Sequence, residues 1–276
     1  MNGFFVIVIM IVATAFGMLS IPLASFVQAI EDGSECERCE RKNTCFAQSP
    51  FLVGKNNWVD EFMLLSNRKV RGYCKWAVGD YKKQYIIYFV VSMILALILF
   101  WSKGINLSSI CFGISSAMLL ALGVVDWNTE YIPLEYTLVI VICGLIQLFA
   151  DFSNWFEYVI GLIAVSGFLL LIDKVGTRLL ASKYSDEEGE LTSVVGDGDI
   201  KLMAATGLLL GWKLNFLALG IGCISGSVIH LIRMKIKGSG ARLALGPYLS
   251  LGVYFTMICG EQLISWYLNM LGVMPY

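Results

Sequence analysis

The chain has 276 residues, of which 57% are hydrophobic and 15% are charged, and its mean hydropathy is +0.72. Soluble domains are about 45–50% apolar and about 25% charged, so this composition excludes an ordinary soluble enzyme. The formal net charge of −1 argues against a general nucleic-acid-binding protein, which needs a basic surface to displace counterions.

The apolar residues fall into blocks long enough to cross a membrane, because a bilayer core about 30 Å thick needs roughly 20 apolar residues in a helix. Two blocks are weaker than the rest, since the second is short and the sixth contains charged residues. We predict eight spans, near residues 3–26, 85–101, 105–125, 134–150, 155–173, 194–212, 214–232 and 246–270. The sequence therefore predicts an all-α polytopic membrane protein with about eight transmembrane helices.

The basic residues predict how these spans are oriented. Seventeen of the 20 Lys and Arg residues lie in the connectors 31–84, 174–183 and 233–242. Connectors rich in Lys and Arg stay on the cytoplasmic side, and an eight-span arrangement puts all three on one face. Both ends of the chain are then expected to face outward, and only Lys103 and Lys213 fall on the opposite face.

One long hydrophilic connector divides the chain. Residues 1–30 are expected to form the first transmembrane helix, residues 31–84 a cysteine-containing cytoplasmic loop domain, and residues 85–276 a seven-helix membrane core. The loop domain is the only segment outside the spans that is long enough to fold as a separate unit.

The eight cysteines form two groups. Four lie singly in apolar spans and are interpreted as small buried apolar residues: Cys111, Cys143, Cys223 and Cys259. The other four lie in the loop domain: Cys36, Cys39, Cys45 and Cys74. Disulfides are disfavoured in the cytoplasm, whereas a Cys-x-x-Cys knuckle with two further thiolates provides a tetrahedral zinc site. A loop with free thiols is the alternative.

Two acidic residues lie at the predicted cytoplasmic ends of spans. Asp126 follows the apolar run of the third span, and Asp199 ends the Gly-Asp-Gly-Asp segment 196–199 that opens the sixth. Ionisable groups beside the membrane are costly and therefore indicate function. Two carboxylates in one site share a proton, which is the chemistry of aspartic proteases. Gly196 and Gly198 are expected to supply positive φ and room for a substrate backbone.

Other interpretations of the same residues stay open at this point. Segment 196–199 is alternatively a turn whose last Asp caps a helix, and Asp126 an ordinary interfacial residue. A transporter using Asp126 and Asp199 as a proton relay would place its acids near the bilayer midplane and repeat a broken helix in both halves. A non-catalytic scaffold would bind a partner through its cysteine loop.

Several motifs carry a resemblance to a known family. Residues 196–202, GDGDIKL, resemble the GxGD motif of type IV prepilin peptidases. Asp126 with the Ile-Pro at 132–133 is similar to the family's first aspartate, and residues 245–252, LGPYLSLG, are similar to its late Gly-Pro motif. Order and spacing agree over essentially the whole chain.

The resemblance implies a membrane aspartic endopeptidase that cleaves the basic leader of prepilins or pseudopilins. It implies Asp126 and Asp199 as the catalytic pair, at the cytoplasmic face of the bacterial inner membrane, with no cofactor needed for proteolysis. For Lys201 we favour a supporting ion pair over a contact with a lipid phosphate. The supporting residues of the motifs are Gly196, Gly198, Lys201, Gly246 and Pro247.

The loop cysteines resemble the cytoplasmic domain of bifunctional members, which methylate the new N-terminus with S-adenosylmethionine. The likeness rests on residues 34–39 and on Gly72, Tyr73 and Cys74. It implies zinc held by Cys36, Cys39, Cys45 and Cys74 and a place for Gly72 in the methyltransferase part. Ala77 stands where the family has a further cysteine, so Cys45 would have to serve as the fourth ligand. Zinc binding and methylation are therefore left open, whereas proteolysis does not depend on them.

Overall fold

The computed structural model describes residues 5–18, 82–129, 132–184, 194–237 and 244–272. Within these ranges the chain is helical apart from short connections, and it contains no strand. The described ranges contain eight α-helices: α1 (Phe5–Met18), α2 (Lys82–Lys103), α3 (Leu107–Thr129), α4 (Leu134–Ala150), α5 (Trp155–Tyr184), α6 (Asp197–Leu210), α7 (Trp212–Lys237) and α8 (Gly246–Met270). The predicted all-α fold is confirmed.

Four of these helices are long and apolar enough to cross a membrane. The qualifying segments are Ile86–Lys103, Leu107–Trp127, Phe152–Leu179 and Trp212–Ile232. Helices α1 and α4 are apolar but shorter. The protein is therefore a multi-pass membrane protein. The domain boundaries predicted at 30 and 84 stay predictions, because residues 19–81 lie outside the described residues.

The sixth predicted span, 194–212, forms a short enclosed helix. Helix α6 has 14 residues, which at 1.5 Å per residue extend about 21 Å, less than the roughly 30 Å of a bilayer core. Nine of those residues are buried, because α4, α5 and α7 pack around the helix. The charged residues that weakened this block as a span lie in its first two turns.

Glycines allow α5 and α6 to cross at close range. A Cβ atom at Gly207 would overlap the carbonyl group of Gly161 on α5. Just beyond this crossing, the Thr206 hydroxyl donates a hydrogen bond to Asn215 Oδ1 at 2.9 Å, and Asn215 Nδ2 donates to the Met203 carbonyl at 2.8 Å. Small residues and buried side-chain hydrogen bonds are the usual means of holding membrane helices together. They fix the C-terminal part of α6.

Short connections make neighbouring helices turn back on one another. The ends of α3, α5 and α7 and the starts of α4, α6 and α8 lie at one end of the bundle, which we call the Asp126 end. The opposite end holds two ion pairs, Lys103 with Glu261 at 2.9 Å and Lys213 with Glu157 at 2.6 Å. The two lysines that the charge distribution assigned to the opposite face are thus both there and both paired.

Candidate active site

The carboxylate of Asp126 lies against the start of α8. Asp126 belongs to the last turn of α3 and is only 4% exposed. The backbone N–H of Gly246 donates a hydrogen bond to its Oδ2 at 3.0 Å. The first N–H groups of a helix have no partner within the helix, and its N-terminus favours negative charge. Asp126 is therefore a buried, specifically bound group, and its interpretation as an ordinary interfacial residue is wrong.

The contact with Asp126 explains why the late Gly-Pro motif has a glycine at position 246. A Cβ atom at Gly246 would lie 2.6 Å from Oδ2 of Asp126, so that a side chain there displaces the carboxylate. Pro247 occupies the first turn of α8, where its missing N–H costs nothing. The motif thus brings a bare backbone N–H up to the first aspartate.

Asp199 lies in the first turn of α6. Gly196 is the N-cap of this helix, with no side-chain cap hydrogen bond, and the Asp199 N–H donates to the Gly196 carbonyl at 3.0 Å. The interpretation of segment 196–199 as a turn whose last Asp caps the following helix is therefore wrong, because the helix starts at Asp197 and its N-cap is Gly196. The Asp199 Oδ1 atom is buried and has no hydrogen-bond partner among the described residues.

The structure brings the two acids into one electrostatic environment. Burial, followed by the negative charge of Asp126, raises the pKa of Asp199 to about 7. Asp199 lies outside the four helices that are long enough to span the membrane. A carboxyl group with this pKa carries a proton for much of the time at neutral pH. Asp126 and Asp199, 73 positions apart in the sequence, thus interact electrostatically at the Asp126 end.

The glycines of the GxGD motif serve a different purpose from the one predicted. Gly196 has φ −62° and Gly198 is helical, and the positive-φ glycines of the described chain are Gly104, Gly211 and Gly272. A Cβ atom at Gly198 would lie 2.8 Å from Cβ of Ile132. The space beside Gly198 is therefore filled by the Ile-Pro segment before α4 and is not open to a substrate. The positive-φ explanation is wrong, and close packing replaces it.

Two further residues lie near the pair and were missed in the sequence. Cys223 of α7 is within electrostatic range of Asp199 and is exposed, so its interpretation as a buried apolar residue is wrong, whereas Cys111 and Cys143 are buried as predicted. The Tyr248 ring is edge-on to Trp127, with centroids 6.5 Å apart. Its hydroxyl is buried and has no hydrogen-bond partner in the described part of the chain. Tyr248 lies two positions after Gly246, so the Gly-Pro motif was the available signal.

An unpredicted carboxylate holds the chain just before α6. Asp173, about three turns before the end of α5, accepts hydrogen bonds at its Oδ1 from the N–H groups of Val194 at 2.9 Å and Val195 at 3.0 Å. It ends the fifth apolar block of the sequence. An ionisable residue at the end of an apolar block is costly beside the membrane, which is the reason that Asp126 and Asp199 were singled out. Asp173 could have been found in the sequence by the same reasoning.

Lys201 does not support the pair as expected. Its side chain is exposed, and the ion pairs among the described residues are those of Lys103 and Lys213 at the opposite end. The residues predicted for zinc and the methyltransferase part, Cys36, Cys39, Cys45, Cys74 and Gly72, lie outside the described residues. Elsewhere, in the ranges that the structure covers, no three His, Cys, Asp or Glu side chains cluster as a metal site would require.

A cavity of about 450 Å³ lies between α2, α3 and α8. Its walls are almost entirely apolar, and Trp127 and Pro247, the chain neighbours of Asp126 and Gly246, are part of them. Charged side chains are costly to bury in such surroundings. A charged ligand is therefore not expected to occupy this cavity.

A multi-pass helical bundle with two neighbouring carboxylates at one end is the architecture of a membrane-embedded aspartic protease. The Type IV leader peptidase family matches residues 111–231, which include both acids. A prepilin leader peptidase/N-methyltransferase of Pectobacterium carotovorum subsp. carotovorum is 32% identical over 204 residues, covering 72% of this chain and 69% of that protein. The chain belongs to the type IV leader peptidase family.

Two other relatives bear the same description. The protein of Legionella pneumophila is 28% identical over 210 residues, covering 75% of this chain and 69% of its own length. That of Pseudomonas aeruginosa is 26% identical over 202 residues, covering 72% and 65%. No solved structure matches the chain. The suspected family is thus confirmed by relatives, and the transporter alternative has no support among them.

Proposed function

We propose that this protein is a membrane aspartic endopeptidase that removes the basic leader of type IV prepilins or pseudopilins, with Asp126 and Asp199 as its catalytic pair. One observation carries the proposal: carboxylates from α3 and α6 lie close enough that burial and then the charge of Asp126 raise the pKa of Asp199. The substrate class follows from the relatives, which are described as prepilin leader peptidases.

The two acids have different surroundings, which supports different roles. The Gly246 N–H and the N-terminus of α8 stabilise a negatively charged Asp126. Burial keeps the proton on Asp199, whose pKa is about 7. We assign Asp126 as the base that takes a proton from the attacking water. Asp199 is then the acid that protonates the scissile peptide group.

The proposed location is the cytoplasmic face of the bacterial inner membrane. Of the three predicted basic connectors, residues 174–183 form the last turns of α5, and Lys235 and Lys237 end α7, on the side of the bundle that holds Asp126. Basic connectors stay in the cytoplasm, so the acids would meet substrate there. A transporter relay predicts acids near the bilayer midplane, whereas Asp126 and Asp199 belong to the last turn of α3 and the first turn of α6.

A second activity is proposed on narrower grounds. The relatives are described as N-methyltransferases as well as peptidases, and the loop cysteines resemble the part that methylates in bifunctional members. We propose that S-adenosylmethionine is the methyl donor, that Gly72 belongs to this part, and that Cys36, Cys39, Cys45 and Cys74 hold a structural zinc ion.

The peptidase proposal is tested with purified protein in detergent and a prepilin substrate, with the products weighed by mass spectrometry. Asp126→Asn and Asp199→Asn should each abolish cleavage while the proteins still insert and purify. Asp197→Asn is the matched control, because Asp197 is an exposed carboxylate in the same turn as Asp199. Full cleavage by Asp126→Asn or Asp199→Asn would contradict the assignment of these two residues as the catalytic pair.

The same mass spectra test the methyltransferase proposal. Addition of S-adenosylmethionine should increase the mass of the new N-terminal fragment by one methyl group. Metal analysis of the purified protein should show stoichiometric zinc that is lost on substitution of the loop cysteines by Ser. A mature product that stays unmethylated, or a parent protein without zinc, contradicts the corresponding part of the proposal.

A further inference from the structure

The segment that leads into α6 is tied to α5 by a single carboxylate. Two consecutive backbone N–H groups, of Val194 and Val195, converge on Oδ1 of Asp173 at 2.9 and 3.0 Å. Hydrogen bonds to an ionised acceptor are roughly twice as strong as neutral ones. The side chain of Val194 also packs beside Gly176, where a Cβ atom would lie 3.4 Å from it. The chain is thus held at both its backbone and its side chain.

These bonds lie immediately before the catalytic turn. Gly196, the N-cap of α6, follows Val195, and its carbonyl accepts the N–H groups of Asp199 at 3.0 Å and Ile200 at 3.3 Å. A displacement of residues 194–195 therefore moves the N-cap and, through it, the backbone of Asp199. The far part of α6 is independently fixed by the crossing with Gly161 and by the buried Asn215. Asp173 controls the end of α6 that matters for the pair.

We infer that Asp173 is a positioning residue of the peptidase, which holds the start of α6 so that Asp199 stays beside Asp126. The inference rests on the proposed function, because it acts through the proposed catalytic pair. Asp173 itself contacts backbone N–H groups on the chain before the N-cap, so its substitution should alter the geometry of the pair without removing either acid.

The decisive readouts are kcat and the pH profile. A variant that only folds less well yields less folded enzyme, but the molecules that do fold keep the kcat and the pH profile of the parent. A displacement of about 1 Å at a reacting group costs up to about 100-fold in rate. Asp173→Ala should therefore lower kcat about 10- to 100-fold with KM within about twofold. A loosened start of α6 also admits water to Asp199, so the basic limb of the profile should move to lower pH.

Among the residues that the structure describes, few charged and titratable groups lie around Asp199, which makes that shift interpretable. Asp126 faces it from α3 and Cys223 from α7. On α6 itself, Asp197 and Lys201 are exposed. Asp173→Ala changes none of these four but removes the charge of Asp173, as Asp173→Asn also does, so a limb that moves in the Ala variant and not in the Asn variant reports a changed position of Asp199.

Two variants control the experiment. Asp173→Asn keeps an oxygen that accepts both N–H groups, so it should retain most of kcat and a limb close to that of the parent. Glu157→Gln removes a carboxylate from the first turn of the same helix, where Glu157 pairs with Lys213, and should behave like the parent. Wild-type kcat and pH profile in Asp173→Ala overturn the inference, as do equal losses of kcat in the Ala and Asn variants.

If Asp173→Ala does not accumulate as folded protein, Asp173→Glu tests the positioning role instead. The longer side chain keeps the charge but cannot hold both N–H groups without moving the chain, so the same loss of kcat and the same shift are expected. Wild-type kinetics in that variant overturn the inference. Full cleavage by Asp126→Asn or Asp199→Asn refutes the proposed function. If both of these variants lose cleavage but the Asp173 variants keep the kcat and pH profile of the parent, only the positioning role is refuted.

Discussion

The backbone N–H of Gly246 donates a hydrogen bond to the Asp126 carboxylate at 3.0 Å, across 120 positions of sequence. This contact joins two motifs that the sequence shows separately, the first aspartate and the late Gly-Pro. It gives Asp126 a fixed orientation and a donor that stabilises its charge. The start of α8 is therefore part of the site, although the family match ends at residue 231.

We predict that Gly246→Ala disrupts this contact. The added Cβ atom would lie 2.6 Å from Oδ2 of Asp126, so the carboxylate has to move and loses its donor. We expect cleavage to slow about 100-fold and overpacking to cost about 1–3 kcal/mol of stability. Cleavage rates and thermal unfolding in detergent measure the two effects.

Gly220→Ala is the matched control for that substitution. Gly220 is an exposed helical glycine on α7 with no atom within 4 Å of its Cβ position. Alanine there should leave the cleavage rate unchanged and raise stability by about 0.5–1 kcal/mol. If the two variants slow cleavage equally, the Gly246 contact has no special role.

The sequence was sufficient for the all-α fold and for singling out the two acids, although it predicted a span where the short α6 lies and a connector within α5. Apolar blocks of membrane length report helices directly, and charges that are costly in such blocks stand out individually. The partners of Asp126 and Asp199 were not accessible in this way, because they depend on which helix ends meet. Ile132 against Gly198 and Gly246 against Asp126 are contacts between elements, and no local pattern encodes them.

The glycines illustrate the same limit. From sequence, the local property of a glycine is its backbone freedom, and this suggested positive φ at Gly196 and Gly198. The structure uses Gly198 for its missing side chain, since Ile132 fills that space. The exposure of Cys223 was likewise hidden, because an apolar span has both a buried and an outward face.

The pH dependence of cleavage should show a basic limb near pH 7. The pKa of Asp199 is about 7 owing to burial and the Asp126 charge, and the proposed acid is active only when protonated. kcat/KM should therefore fall about tenfold per pH unit above that value. Cleavage rates of one substrate between pH 5 and 9 measure it, with Asp197→Asn expected to give the same profile. A rate that stays constant to pH 9 would rule out Asp199 as the acid.

The same shift makes stability depend on pH. The folded protein holds the Asp199 proton more tightly than the unfolded chain, in which the pKa is near 3.8. The contribution of Asp199 to stability is therefore fully present below about pH 4 and is lost as the pH rises to about 7, above which both states are ionised. Asp199→Asn escapes this loss, so relative to the parent it should gain up to about 4 kcal/mol between pH 4 and pH 8.

Unfolding in detergent at pH 5 and pH 8 tests this gain. The difference in unfolding midpoint between Asp199→Asn and the parent should be larger at pH 8. Asp197→Asn should show no such change. If the difference in unfolding midpoint between Asp199→Asn and the parent is the same at pH 5 and pH 8, burial does not keep the Asp199 carboxyl group protonated.

Tyr248→Phe should not destabilise the protein. The hydroxyl is buried without a hydrogen-bond partner among the residues that the structure describes, and such a group costs free energy of about 1–3 kcal/mol. Its removal keeps the ring in contact with Trp127. The unfolding midpoint should stay constant or rise, and a clear fall would show that the hydroxyl has a partner.

The contact between Gly198 and Ile132 is testable by exchanging the side chains. Gly198→Ala alone places a Cβ atom 2.8 Å from Cβ of Ile132 and pushes the start of α6 away from α4. We expect this variant to lose most of its cleavage rate. Combining it with Ile132→Gly removes the obstructing atom, so the double variant should be more active than Gly198→Ala alone, despite the backbone freedom of the added glycine. A double-mutant cycle on cleavage rate measures this coupling, and strictly additive effects would mean that the two residues do not restrain the position of Asp199.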